Sequence, residues 1–157
     1  METSNTHPSY DLDYLLNKFS LHTGNSDPTE NYQYLKVVFD VIRQNTSFEE
    51  AIKFNDMLPL PFKAIFLDGW HISYGTNPSL NNINQLAEMM MAKSGQRLSN
   101  AAEARQLLRK VFAFLGQLTS PSQIKEGLSF LPEEFRSLVL QDPGFRYAYS
   151  DTCIWLS

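Results

Sequence analysis

Residues 66–74, FLDGWHISY, place an acid, a glycine, a tryptophan, a histidine and a tyrosine within nine positions. Asp68 and His71 are the residue types that work together in general acid–base chemistry, and Trp70 and Tyr74 are types that stack on a ligand. A second candidate lies later in the chain. Arg97, Arg105, Arg109 and Lys110 fall within 14 positions, and the four-residue spacing of Arg105 and Arg109 puts them on one helix face, where they could hold an anion or a nucleic-acid backbone. Glu103 sits beside this group, and no aromatic residues interleave with it to stack on bases.

No reacting constellation emerges around these residues. His7, His22 and His71 are separated by 15 and 49 residues, without the i, i+4 spacing of a zinc helix. Cys153, the single cysteine, has neither a histidine nor a basic residue beside it in sequence to stabilise a thiolate. Glycine-rich phosphate loops and Gly-x-Ser-x-Gly elbows are missing from the sequence. The reading therefore assigns no catalytic residue, metal ligand or cofactor. It keeps Asp68, Trp70, His71, Tyr74, Arg105 and Arg109 as surface or ligand candidates.

The 157 residues suit one compact body or two small, closely packed halves, and 43% hydrophobic with 13% aromatic content supports a real core. A formal charge of −4 argues against a surface built for phosphate backbones, so nucleic acid is not the expected partner. One cysteine requires no oxidising compartment. The opening METSNTHPSY lacks the positive segment and apolar run of a signal peptide, and no apolar stretch reaches the ~18 residues of a membrane span. A cytoplasmic protein without a membrane segment is expected.

The organising feature is an internal repeat. Residues 27–68 align without a gap on residues 100–141 at an offset of 73, and 12 of the 42 pairs are identical, among them Glu30/Glu103, Leu35/Leu108, Phe39/Phe112, Ser47/Ser120, Pro59/Pro132 and Phe62/Phe135. Each copy opens on a capping-box pattern, Asp27-Pro-Thr-Glu30 and Asn100-Ala-Ala-Glu103. A helix follows with apolar residues at 35, 38, 39 and 42, copied at 108, 111, 112 and 115, which is one stripe of helical period. A second box, Ser47-Phe-Glu-Glu50 against Ser120-Pro-Ser-Gln123, starts a short helix. Pro59 and Pro132 end it and open a fourth helix, with Phe62, Ile65 and Phe66 facing inward in the first copy. Upstream, helices stopping at Gly24 and Gly95 match at an offset of 71, and the run Met89-Met90-Met91 belongs to the core of the second.

The opening stretch also has a counterpart. With Asp68 set on Asp142 and one residue inserted at Pro143, Trp70 falls on Phe145, Tyr74 on Tyr149 and His71 on Arg146, which cannot act as a base. The period-two alternation of apolar residues predicts an extended joint closing each unit, with Trp70 anchoring the first.

A capped short helix, then Leu-Pro-x-x-Phe-Lys/Arg and an acidic-Gly-Trp turn, resembles the bacterial domain-of-unknown-function family 2267 (DUF2267), in two tandem copies. The residues that carry the likeness are Leu58-Pro59, Lys63 and Asp68-Gly69-Trp70, with Leu131-Pro132 and Arg136 in the second copy. The position before each Leu-Pro pair, a glutamine in the family pattern, is Met57 and then Phe130, and Phe145 replaces the tryptophan. The resemblance implies a small helical protein and brings no activity or cofactor with it.

The expectation is an all-α protein of two pseudo-symmetric units, 1–78 and 79–157, of about four helices each, packed as one structural domain. Its expected role is a non-enzymatic interaction module that binds a protein partner or a second copy of itself. The competing reading is a small-molecule binder or enzyme with its site in the groove between the units. Anion or nucleic-acid binding through the basic helix comes third.

Overall fold

The computed structural model describes residues 11–69 and 83–129. These form seven α-helices and, among the described residues, no strand. They are α1 (Leu12–Thr23), α2 (Pro28–Gln44), α3 (Phe48–Asp56), α4 (Leu60–Leu67), α5 (Ile83–Lys93), α6 (Ala101–Leu118) and α7 (Pro121–Gly127). The chain is all-α. The segment 130–157, with the expected last helix and the second joint, and the linker 70–82 lie outside the described residues.

Local chemistry sets the helix starts. The side chains of Ser47 and Ser120 accept from the backbone N–H three residues on, while Glu50 and Gln123 reach back to the cap, so both expected boxes of α3 and α7 form. The other two patterns depart from the box. Asp27 caps the Thr29 N–H, but Glu30 leaves the helix start and pairs with Arg97 at 3.0 Å. Asn100 caps the Glu103 N–H, and Glu103 Oε1 accepts from Ser99 N one residue before the cap.

The stops follow the same logic. Gly24 closes α1 at a φ of +74°, donating its N–H to the Ser20 carbonyl. At the end of α5 two consecutive residues, Gly95 and Gln96, take positive φ. Ser94, buried beneath them, donates to the Met91 carbonyl and accepts the Leu98 N–H, which fixes the turn into α6.

Helix α1 packs on α2 and α6, α2 also touches α4, α5 and α6, α3 lies against α4 and α7, and α5 runs beside α6. Phenylalanines fill the space between them. Phe39 of α2 meets Phe54, Phe62 and Phe66, each at 5.9 Å between ring centroids and near-perpendicular. Phe54 continues to Phe112 of α6, and Phe19 and Phe62 both meet Phe114, so aromatic rings bridge residues before and after the linker. Each of these buried rings contributes about 3–5 kcal/mol by the usual cost of Phe→Ala. The expected inward face of α4, Phe62, Ile65 and Phe66, is buried. Met90 is buried as well, with Met89 and Met91 packed partly against the core.

Candidate functional site

Of the six candidate residues, Trp70, His71 and Tyr74 lie outside the described residues. Asp68 is placed at the end of α4, and its surroundings are those of a helix stop. Lys36 and Arg43, both on α2, converge on the free carbonyls there. Lys36 Nζ donates to the Asp68 carbonyl at 2.9 Å, and Arg43 Nη1 donates to the carbonyls of Phe66 at 2.6 Å and Asp68 at 3.0 Å. Cations at the negative end of a helix are favoured both by the hydrogen bonds and by the dipole. The Asp68 carboxylate itself is largely exposed, 3.5 Å from Lys36. Asp40 sits between the two cations, its Oδ1 3.2 Å from Lys36 Nζ and 3.1 Å from Arg43 Nη2, charge contacts that balance a guanidinium only 8% exposed.

The basic position of the Leu-Pro-x-x-Phe-Lys stretch does the same for α3. Lys63 Nζ donates to the carbonyls of Asn55 and Asp56 at the end of that helix, while Leu58 and Phe62 are buried. This stretch is a connector whose residue types each serve packing or capping.

Arg105 and Arg109 lie on α6 and are half-buried; Arg109 Nε has no hydrogen-bond partner among the described residues. Neither lines the nearby cleft, which is built from another face of the same helix. That cleft, about 650 Å³, opens where the α1–α2 turn meets the α5–α6 turn. Thr23, Asn25 and Ser26 form one rim, Arg97 and Ser99 the other, and Glu103, Gln106 and Lys110 of α6 with Tyr34 of α2 line the trough above Leu98 and Leu107. The Glu30–Arg97 pair ties the two turns together, since Arg97 Nε donates to both Glu30 oxygens at 3.0 and 3.2 Å.

A third surface is apolar. Helix α4, LPFKAIFL, carries one charged residue and is hydrophobic on nearly every side, a composition normally found in fully buried helices. Its outer side is nonetheless open: Leu60 is 76% and Leu67 40% exposed, with Ala64 exposed between them, an i, i+4, i+7 stripe.

A family model described as an uncharacterized conserved protein, DUF2267, matches residues 13–138. The chain belongs to this family. The match runs as one span from within α1 to beyond α7. No curated protein matches the chain. No helix of the described residues is long and apolar enough to cross a membrane.

Sequence reasoning missed three features of this DUF2267 chain. The Lys36–Asp40–Arg43 group carried a weak signal, since 36, 40 and 43 share one helix face. The exposed side of α4 was visible as an excess of apolar residues around Lys63. The cleft had a sharper mark: Lys110 aligns with Val37, which is buried, so a charge replaces a core residue where the trough lies.

Proposed function

We propose that this protein is a non-enzymatic helical interaction module of the bacterial cytoplasm, and that the outer face of α4 is its contact surface. The observation that carries this reading is the exposed stripe Leu60, Ala64 and Leu67 on a helix otherwise hydrophobic all round. The internal alignment strengthens it. Leu60 and Ala64 of the stripe align with Glu133 and Ser137, so the first copy is apolar there where the second is polar, while Leu67 aligns with Leu140.

A second copy of the chain is the proposed occupant. The stripe carries no charge, and Lys63, the helix's one cation, is engaged with the end of α3, so two such faces meet about a two-fold axis without electrostatic conflict. The proposal includes two tandem pseudo-symmetric units, 1–78 and 79–157, packed as one domain. The helix packing supports them: α1 against α6 mirrors α5 against α2, and α2–α6 and α3–α7 are self-matched pairs, as a local two-fold axis requires.

Light scattering across a micromolar concentration series tests the reading. The wild-type protein is expected to dimerise, and Leu60→Glu, which installs the residue of the second copy, to give a monomer whose thermal midpoint matches that of the wild-type protein diluted to where it too is monomeric. A wild-type monomer at all concentrations that also retrieves no protein from a bacterial lysate overturns it. So does a Leu60→Glu variant whose midpoint falls steeply below that of the diluted wild-type protein, because the stripe would then be packed within its own chain.

A further inference from the structure

The cleft between the two interhelical turns has the chemistry of a site for a small zwitterion, independent of the α4 surface. Its volume of about 650 Å³ lies within the usual range for small-ligand sites. The lining is polar on both rims, but its charges differ in what they are free to do. Arg97 is engaged with Glu30 and with the Ser94 carbonyl. Glu103 uses Oε1 to hold Ser99 N, which leaves Oε2 free among the described residues. Lys110 has no ion-pair or hydrogen-bond partner among the described residues, although it is half-buried. Its stem is partly buried while its ammonium stays accessible to a ligand, and at this position the aligned residue of the first copy is the buried Val37.

Glu103, Gln106 and Lys110 share one side of α6, at i, i+3 and i+7, and all three line the cleft. Seven residues of helix separate the backbone positions of Glu103 and Lys110 by about 10 Å along the axis. Three residues of extended peptide span about 10 Å as well. We infer that the cleft binds a short peptide of about three residues, its C-terminal carboxylate on Lys110 and its N-terminal ammonium on Glu103. Gln106 lies between the two charges and offers both a donor and an acceptor to the peptide backbone. Tyr34 and Leu107 supply an aromatic and an aliphatic surface for the middle side chain.

Isothermal titration of the full chain with the tripeptide Ala-Leu-Ala tests this, against its C-amidated and N-acetylated forms and inorganic phosphate. Ala-Leu-Ala is expected to bind, C-amidation and Lys110→Met each to weaken it by about tenfold or more, and the two together to do little more, because they remove the same contact. N-acetylation and Glu103→Gln, which keeps the acceptor for Ser99 N, should form a second such pair. Lys110→Val gives an independent removal of the charge with the residue of the first copy, and retained helicity by circular dichroism separates lost binding from lost folding. The inference is overturned by absent binding at millimolar peptide, by an amidated peptide that binds as tightly as the free acid, or by phosphate binding through Lys110 while the peptide does not bind.

Discussion

Arg43 Nη1 donates a 2.6 Å hydrogen bond to the carbonyl of Phe66, joining the last turn of α2 to the end of α4 inside the protein. The guanidinium is almost fully buried, so its desolvation must be offset by the two carbonyls it serves and by Asp40. Arg43→Met keeps much of the side-chain volume, leaves the Phe66 carbonyl without its side-chain donor and leaves the Asp68 carbonyl to Lys36 alone. Chemical denaturation is expected to show a loss of about 2–4 kcal/mol. Asp40→Asn should cost less, and the double variant less than the sum, because both changes act on one network.

Asp68 should behave in the opposite way. Its backbone carbonyl accepts from Lys36 and Arg43, whereas its carboxylate is mostly in water, 3.5 Å from Lys36. Asp68→Asn is expected to change stability by less than about 0.5 kcal/mol, the range of a surface ion pair. Lys36→Met, which removes a donor to the carbonyl, should cost about 1 kcal/mol. A thermal-melt comparison checks the order, and a larger effect for Asp68 than for Lys36 would contradict this account of the stop.

Lys63 gives the corresponding test for the Leu58-Pro59 connector. Its ammonium closes α3 through the carbonyls of Asn55 and Asp56, eight and seven residues earlier. Lys63→Met is expected to lower stability by about 1 kcal/mol, while Lys63→Arg retains a donor and recovers part of it. Neither variant should alter the concentration dependence of light scattering, since the side chain points its charge at α3 and away from a partner.

What could be read in the chain was what depends on neighbours in sequence. The capping boxes at Ser47 and Ser120, the glycine stop at Gly24 and the inward face of Phe62, Ile65 and Phe66 are each set within one or two helical turns. Glu30 was misassigned to a cap because its actual partner, Arg97, is 67 residues away and meets it only once the two turns are packed together. The same limit hid the role of Lys63, whose neighbours in sequence do not reveal that its ammonium folds back onto the preceding helix. For Asp68, residue type pointed to acid–base chemistry while position determined its use: the main-chain carbonyl, common to all residues, is the group the protein engages. The cleft was legible only as a mismatch between copies, Lys110 against Val37, which gains meaning when Tyr34 and Glu103 are found beside it.

The contact between α3 and α7 extends this use of mismatched copies to the core. Phe54, fully buried on α3, aligns with Gly127 on α7, and a β-carbon at Gly127 would overlap the sulfur of Met57. Met57 of the first copy thus fills the space that a side chain at 127 would need. Ala at 127 gains up to ~1 kcal/mol in helix propensity, less at the end of a helix, but must displace a methionine that is itself buried. Displacement should prevail, and Gly127→Ala is expected to destabilise by about 1–3 kcal/mol. Met57→Ala removes the obstruction and leaves a cavity, so it is destabilising alone. In the double variant the new methyl occupies part of that cavity, and the combined loss should fall short of the sum by about 1 kcal/mol or more. Equilibrium denaturation of the four proteins measures the coupling. Simple additivity would mean that Met57 can swing clear of residue 127 at no cost, and that the glycine is not required by the packing of α3 on α7.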